Sequence, residues 1–176
     1  LVANAARSAG RVVVVGSGPA GLYAALVLGL NGVAVDVIDR GADLKERGRD
    51  VVRFHRTRVP NPESNLLFGE GGAGTYSDGK LYTRVDDPLE VPCLEELVAC
   101  GAPPDILFDS RAHIGTDRLH RILPALRGRM EALGVRFHWN TRLDGLVIDS
   151  GDAGDAASRA PSRRESLANG AASEIR

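Results

Sequence analysis

The feature of this sequence that most constrains its fold is a glycine-rich turn between an apolar segment and a helical one. Four valines at 12–15 lead directly into G-x-G-x-x-G at 16–21. A short β-branched run is typical of a parallel strand that is buried on both faces. The next leucines and alanines predict a helix that stops at Asn31-Gly32, and residues 33–38 predict a second strand. The pattern therefore indicates a strand, a helix and a second strand.

Each residue of the turn has a mechanical reason to be there. Gly16 permits a tight turn, Gly18 leaves room beside a pyrophosphate, and Gly21 lets the helix pack closely on the sheet. Pro19 fits the first helical turn, where its missing N–H has no helical acceptor. Together with Ala20 it begins a helix whose N-terminus offers unpaired N–H groups to phosphates. These five residues predict a dinucleotide site; the alternative is a turn with a purely structural role.

An acidic residue follows the second strand at the position that a ribose-binding carboxylate occupies. Asp39 lies 18 residues beyond Gly21, close to the offset of about 20 residues found in dinucleotide sites. Its carboxylate is suited to accept hydrogen bonds from ribose hydroxyls. Its charge would repel a 2′-phosphate, so NADP is the least expected occupant. Asp36, three residues earlier, is interpreted as solvated.

Two stretches resemble known flavoproteins. Residues 13–22 with the turn Asp39-Arg40-Gly41 resemble the FAD-binding segment of the large two-domain flavoprotein superfamily. The stretch NPESNLLFGEGGAGTYSDGKL at 61–81, with HIGTD at 113–117, is similar to the uncharacterised FAD-dependent dehydrogenase family. The resemblance covers about 12–149.

The resemblance implies a cofactor and a class of chemistry. It implies an α/β, Rossmann-like FAD-binding domain of the two-dinucleotide-binding flavoprotein type, with Arg40 beside Asp39 in the FAD site. The cofactor carries hydride or electrons to or from an unidentified small-molecule substrate, with NAD(P)H as an electron donor in the complete protein. Spacing alone does not separate FAD from NAD, and no catalytic residue is assigned.

A second glycine-rich segment, residues 69–79, is called the glycine loop below. It holds five glycines in eleven positions, an entropic cost that close approach of the backbone to a ligand would explain. Asp78-Gly79 between residues 75–77 and 80–83 predicts a β-hairpin. We interpret Gly71, Gly72 and Gly74 as N–H donors to FAD; the alternative is a hairpin that only packs. Lys80 is either a cation near the flavin or a solvated residue.

The rest of the chain offers weaker signals. Six cations and two acids lie between residues 45 and 58, which favours an exposed helix face over a phosphate-binding or substrate-binding surface. His55 in this segment is interpreted as a surface residue. Further helices are expected at 92–100 and at 118–133, the second capped by Thr116 or Asp117 and kinked or split at Pro124. Further strands are expected at 135–139 and 143–149. His113 is the preferred histidine for a substrate-side role.

Composition limits the partners of the chain. Of 176 residues, 43% are hydrophobic, and 22 Lys and Arg against 23 Asp and Glu give a net charge of -1. This balance gives no basic field for nucleic acid, and no apolar segment approaches the roughly 20 residues of a membrane span. Cys93 and Cys100 fit neither a redox pair nor a metal site. We therefore expect a soluble protein without metal, in a reducing compartment.

Composition also divides the chain. We expect a disordered segment at 1–10, a partial FAD-binding domain at 11–149 with a substrate-side insertion at about 42–133, and a disordered low-complexity tail at 151–176. Segment 1–10 is either a frayed terminus or the end of a plastid transit peptide. Nothing after Asp149 completes a flavoprotein domain, so a fragment is expected. The hypotheses are the FAD-binding half of an oxidoreductase, a non-catalytic nucleotide-binding module, and an inactive truncated chain.

Overall fold

The computed structural model describes residues 10–80, 87–109 and 113–147. These residues form an α/β structure with three strands and four α-helices, which confirms the predicted class. In chain order the elements are β1 (Val12–Val15), α1 (Pro19–Leu30), β2 (Val35–Ile38), α2 (Leu44–Thr57), α3 (Glu90–Ala99), α4 (Thr116–Ala132) and β3 (Arg136–His138). Short 3₁₀ turns cover Gly72–Tyr76 and Pro104–Leu107.

The strands form one parallel sheet in the order β1, β2, β3. Val15 pairs with Ile38, and Ile38 pairs with His138. Because the strands are parallel, their carboxyl ends meet at one edge of the sheet. The Gly16 amide donates to the Ile38 carbonyl at 2.8 Å, and the Asp39 amide donates to the His138 carbonyl at 3.0 Å. The G-x-G-x-x-G segment at 16–21, called the glycine turn below, therefore lies next to Asp39.

One face of the sheet is covered by α1 and α4. The main core combines side chains of these helices with β2 and the residue before β3: Leu22, Ala25, Leu26, Val35, Val37, Leu123, Leu126, Met130 and Val135. A smaller cluster beside α3 contains Ala102, Ile106, Ile114 and Ile122. These apolar contacts fix α1, whose first turn follows the glycine turn at the carboxyl edge of the sheet, and α4 beside it.

The other face of the sheet is more open. Val13 and Val15 of β1 are 49% and 57% exposed, whereas all four residues of β2 are buried. The expectation of a first strand buried on both faces is therefore wrong for β1. The reason is that, within the described ranges, the core packs against one side of this strand only.

Two helical expectations need correction. Helix α4 continues through Pro124, so the predicted split is wrong, whereas a kink at this residue stays a prediction. Leu123 and Leu126 flank the proline and are buried in the main core, and such packing offsets the hydrogen bond that proline removes. Gly115 precedes the helix, and no side chain caps it. Thr116 does not cap because its hydroxyl donates to the Ser77 carbonyl.

The predicted strand at 75–77 is also wrong, since residues 72–76 form a 3₁₀ turn. The Thr75 hydroxyl donates to the Glu70 carbonyl at 3.1 Å, a bond that curls the chain back on itself. Lys80 pairs as an isolated antiparallel bridge with His113. The second arm of the predicted hairpin falls on residues 81–86, which lie outside the described residues.

The chain divides into two compact units, Leu1–Leu143 and Asp144–Arg176. All the elements above belong to the first unit. Residues 143–147 carry no strand, and the end of the strand predicted at 143–149 lies outside the described residues. Segments 1–9 and 151–176, for which disorder is predicted, also lie outside them. None of the described helices is long and apolar enough to cross a membrane.

Candidate cofactor site

A cavity of about 430 Å³ lies at the carboxyl edge of the sheet. In parallel α/β sheets this edge is where ligands bind. The cavity is bounded by the ends of β1 and β2, by the glycine loop and by the segment after β3. Its lining residues are Val15, Gly16, Gly18, Ile38, Asp39, Arg40, Leu67, Phe68, Gly69, Gly72, Thr141, Arg142 and Leu143.

The glycine turn has the shape of a cradle for a phosphate group. Gly16 has a φ of 95°, a backbone conformation that favours glycine. A Cβ added at Gly21 would lie 1.9 Å from the Gly16 carbonyl oxygen, so only glycine fits there. Pro19 begins α1, and no side chain caps this helix in the described part of the chain. The amides of Ala20 and Gly21 thus stand at a helix start without helical acceptors, which suits an anion.

Asp39 lines the cavity and also fixes the turn. Its Oδ2 accepts hydrogen bonds from the Ser17 amide at 2.7 Å and the Ser17 hydroxyl at 2.6 Å. Its Oδ1 accepts from the Gly41 amide at 2.8 Å. A carboxylate offers about four acceptor positions, so one remains for a ligand hydroxyl. This structural role was not part of the sequence interpretation.

An ion-paired cluster occupies another wall of the cavity. Arg40 and Arg142 each hold one oxygen of Glu63, both at 2.8 Å. The Arg40 guanidinium also lies 4.3 Å from the centre of the Phe68 ring. The hydrogen bond from Arg40 lowers the pKa of Glu63. Sequence reasoning placed Arg40 here but gave no role to Arg142, or to Glu63 within the stretch 61–81.

The glycine loop crosses directly over the glycine turn. A Cβ added at Gly72 would come within 3.0 Å of the Gly18 Cα. The Gly71 amide donates to the Ser17 carbonyl, and the Gly72 amide donates to the Gly69 carbonyl, both at 2.9 Å. Two of the amides interpreted as cofactor donors therefore bond within the protein. What the loop contributes is close backbone packing.

The three glycines selected in this loop do not face the same space. Gly72, with Gly69, lines the 430 Å³ cavity. Gly71 and Gly74 line a second cavity on another side of the loop. The loop is therefore a wall shared by two cavities.

Arg47 holds the glycine loop in place from helix α2. Its side chain is fully buried, and burial lowers its pKa. The guanidinium lies 4.9 Å from the centre of the Tyr76 ring. It donates to the carbonyls of Asn65, Leu66, Gly69, Glu70 and Gly72 and to the Thr75 hydroxyl. One arginine thus organises the backbone that covers the turn.

The interpretation of 45–58 as an exposed charged face is wrong at Arg47. A sequence signal for its burial exists, because Leu44, Arg47, Val51 and Phe54 follow one helical stripe. A charge inside an apolar stripe indicates a buried residue with a dedicated set of acceptors. His55, by contrast, is exposed as predicted.

Glu70 makes the reciprocal contact from the loop to helix α2. Its buried carboxylate accepts from the Leu44 amide at 2.7 Å, at the first residue of the helix. Arg127 of α4 pairs with the same oxygen at 3.2 Å. Burial raises the pKa of Glu70, and the Leu44 hydrogen bond opposes that rise. Glu70 and Arg47 therefore join the glycine loop to helix α2 by hydrogen bonds from both sides.

Asp36 is buried, so its interpretation as a solvated residue is wrong. Arg136 binds both of its oxygens, at 2.7 and 2.9 Å, and Arg11 and His138 each approach to 2.8 Å. The hydrogen bonds from Arg136 are the main reason why the pKa of Asp36 lies well below its usual range. Arg136 follows 100 residues later in the chain, so local sequence could not reveal this cluster.

The remaining candidates lie away from the 430 Å³ cavity. Lys80 pairs with Asp78 at 2.9 Å, and His113 contacts the Asp78 carbonyl with its Nε2. Cys93 and Cys100 are free thiols whose pKa is raised by burial. Among the residues that the structure describes, no three His, Cys, Asp or Glu side chains converge as a metal site would require.

Comparison with known families indicates the cofactor of the chain. Residues 10–57 match the family model described as the FAD binding domain. The match runs from just before β1 to the end of α2 and contains the glycine turn, Asp39 and Arg40. The cofactor of this chain is FAD. The predicted cofactor is thereby confirmed.

A relative shares most of this chain. The chain is 43% identical over 141 residues to an uncharacterized protein of Clostridium beijerinckii. The aligned part covers 80% of this chain and 26% of that protein. The chain thus spans about a quarter of the length of the relative that it matches.

Proposed function

We propose that this chain is the FAD-binding part of an FAD-dependent oxidoreductase of the dehydrogenase type, with a Rossmann-like domain and the glycine loop as an insertion. The observation that carries the proposal is the 430 Å³ cavity between the glycine turn and the glycine loop, at the carboxyl edge of a parallel sheet. FAD, when bound, supplies hydride or electron transfer. The protein supplies binding, orientation and charge.

The residues of the cavity fit the charged half of FAD. The pyrophosphate is assigned to the start of α1, where the amides of Ala20 and Gly21 are available and Gly18 leaves space. The remaining acceptor position of Asp39 is assigned to a ribose hydroxyl. Arg40 and Arg142 line the same cavity and share Glu63, so this cluster keeps one net positive charge for the phosphates.

The glycine loop is assigned a positioning role. The contact between Gly72 and Gly18 fixes the distance between the glycine loop and the glycine turn. Arg47 and Glu70 hold the loop in that position. A rigid loop limits the ways in which FAD can lie and keeps water from the covered side of the cofactor. The proposal assigns no proton-transfer residue, and NAD(P)H is the proposed electron donor of the complete protein.

Visible absorption tests FAD binding directly. The purified chain is incubated with excess FAD, desalted and scanned, beside Gly18→Glu and the control Gly128→Glu. Gly128 lies on the exposed side of α4, where an added Cβ meets nothing within 4 Å. We expect a retained flavin spectrum in the wild type and the control but not in Gly18→Glu. Loss in all three would contradict an FAD site formed by this chain alone.

Reduction tests the oxidoreductase part of the proposal. The FAD-loaded chain is mixed anaerobically with NADH or NADPH, and bleaching of the flavin band is followed before a dye acceptor is added. Bleaching followed by dye reduction supports an oxidoreductase. Retained FAD that neither nucleotide reduces would favour the non-catalytic nucleotide-binding module for this part of the protein.

A further inference from the structure

A second cavity of about 180 Å³ lies beside the glycine loop, between α1, α3 and α4, and it opens to solvent on one side. Its walls are mostly aliphatic and come from both hydrophobic clusters. The apolar side chains are Leu22, Leu97, Ile114, Leu119, Leu123 and Leu126. Exposed Gly74, Ser77 and Lys80 form its mouth, so the space is an apolar cleft that a ligand can enter from solvent.

The polar side chains at the edge of this cavity already have partners. The Tyr23 hydroxyl donates to the Cys93 carbonyl at 2.6 Å, and the Ser77 hydroxyl donates to the Gly74 carbonyl at 2.7 Å. The Thr75 hydroxyl is held by Arg47 and the Glu70 carbonyl, and Lys80 is paired with Asp78. These contacts leave aliphatic surface as the dominant feature that a guest would meet.

Size and lining together define the chemistry of the guest. An aliphatic cavity of about 150 Å³ stays dry and binds benzene or xenon. The cavity here is slightly larger and opens to solvent on one side, and most of its surface is likewise aliphatic. A guest the size of one ring or one short branched chain fits, and a charged or strongly polar guest would lose its hydration without compensation.

We infer that this cavity binds an uncharged apolar group, and that it holds the apolar part of the substrate. The second half of this inference rests on the proposed function. Its structural basis is the shared wall, because Gly71 and Gly74 line the apolar cavity whereas Gly69 and Gly72 line the FAD cavity. A group bound in the apolar cavity contacts the backbone of the glycine loop, whose other side lines the FAD cavity.

Benzene is the probe for this cavity. Titration of the full chain, followed by calorimetry or saturation-transfer NMR, is expected to show saturable binding of one benzene. Leu119→Trp fills the cavity and should weaken binding by at least about tenfold, and Leu97→Phe provides a second filling variant. Leu89→Trp is the control, since Leu89 is 61% exposed and lies outside the cavity. Circular dichroism establishes that each variant is folded.

FAD binding is measured on the same samples, so the two proposals fail separately. A chain that binds FAD but not benzene overturns the apolar site and leaves the FAD proposal intact. A chain that binds benzene but not FAD overturns the proposed function and the substrate assignment while retaining the cavity. In the FAD-loaded chain, benzene should shift the flavin absorption band. Saturable benzene binding without any shift would overturn the assignment of the cavity to the substrate.

Discussion

The Arg47 guanidinium lies fully inside the protein, where it is bonded to six acceptors. Arg47→Met keeps much of the volume but removes every hydrogen bond that this guanidinium makes to the glycine loop and to the segment before it. We expect a loss of about 1–3 kcal/mol in the free energy of unfolding, the cost typical of leaving buried hydrogen-bonding groups unsatisfied. Urea denaturation followed by circular dichroism measures it. FAD retention should fall as well, because the glycine loop loses its anchor.

The control for Arg47 lies on the same helix. Arg53 pairs with Asp50, and its side chain is 58% exposed, so Arg53→Met should change stability by less than about 0.5 kcal/mol. Arg47→Lys should not rescue the loss, because an ammonium cannot reproduce the planar fork of donors. Full stability of Arg47→Lys would mean that charge alone, without the hydrogen-bond geometry, holds the loop.

Asp36 makes the stability of the fold depend on pH. Its folded pKa is lowered, chiefly by hydrogen bonds from Arg136, relative to an ordinary value of 3.8. A group with a depressed folded pKa stabilises the fold above its unfolded pKa and loses that contribution as the pH falls toward its folded pKa. Asp36→Asn should therefore be less stable than the wild type at pH 6, and the difference should shrink below about pH 4. Urea denaturation at several pH values measures it.

Comparison with Asp43 separates this effect from general acid denaturation. Asp43 is a helix cap that accepts from the Glu46 amide at 2.8 Å, and Asn is an equally good capping residue. Asp43→Asn therefore controls for the loss of one carboxylate, and it should be about as stable as the wild type at pH 6. An unchanged gap between Asp36→Asn and the wild type from pH 6 to pH 3 would show that the Asp36 charge does not contribute.

Residues whose partners are near in sequence were predictable, and residues with distant partners were not. Gly16, Gly21 and Asp39 act through turns and strand ends within one local unit, so spacing was sufficient to place them. Asp36 and Arg47 are polar residues that become buried because partners arrive from far along the chain. Their environment depends on tertiary contacts that composition and periodicity do not contain.

Within the glycine loop, Gly72 and Gly74 differ in how well they should tolerate a side chain. Gly72 has a φ of 68°, and an added Cβ would lie 3.0 Å from the Gly18 Cα. Gly74 has no such φ, and an added Cβ meets nothing within 4 Å. A left-handed conformation costs a residue with a side chain about 1–2 kcal/mol. We expect Gly72→Ala to lower stability by about that amount and to raise the Kd for FAD about tenfold.

Gly74→Ala is the matched control for that substitution. It should leave the free energy of unfolding within about 0.5 kcal/mol of the wild type and the Kd for FAD unchanged. Quenching of flavin fluorescence gives the Kd, and urea denaturation gives the stability. Equal effects of the two alanines would contradict the contact between the glycine loop and the glycine turn.

Among the helices and strands, those fixed by contacts between residues near in sequence were predicted correctly, and those fixed by distant contacts were not. The first strand, helix α1 and the second strand were predicted within a few residues because turn chemistry and apolar periodicity specify them locally. The hairpin at 75–83 was a reasonable inference from Asp78-Gly79, yet residues 72–76 form a 3₁₀ turn. Arg47 and the Glu70 carbonyl hold Thr75 in that turn, and neither contact is encoded in a turn motif.

Across the whole molecule, the sheet order explains why the arrangement of the carboxyl edge was predictable and the exposure of the open face was not. Two strands joined by a helix are parallel, and their carboxyl ends must meet, so the glycine turn and Asp39 could be placed together from sequence. The exposure of Val13 and Val15 depends on what packs over the second face. A valine run gives the same pattern whether one face or both faces are covered.

Ligand binding should stabilise the whole molecule, and the two halves of FAD should do so unequally. The 430 Å³ cavity offers a helix N-terminus, Asp39 and Arg40, which match the pyrophosphate and ribose of ADP. At 100 times its Kd a ligand adds about 2.7 kcal/mol, or about 5–10 °C in Tm for a chain of this size. We expect FAD and ADP to raise the Tm, and riboflavin to raise it much less at equal concentration.

Gly18→Glu decides whether that stabilisation comes from the glycine turn. The glutamate places a side chain and a negative charge where the pyrophosphate is assigned, so the shift with ADP should disappear while Gly128→Glu retains it. Differential scanning fluorimetry over a series of ADP concentrations gives both curves. A Tm that rises with riboflavin but not with ADP would reverse the assignment, because the cavity at the sheet edge would then bind the flavin end of the cofactor.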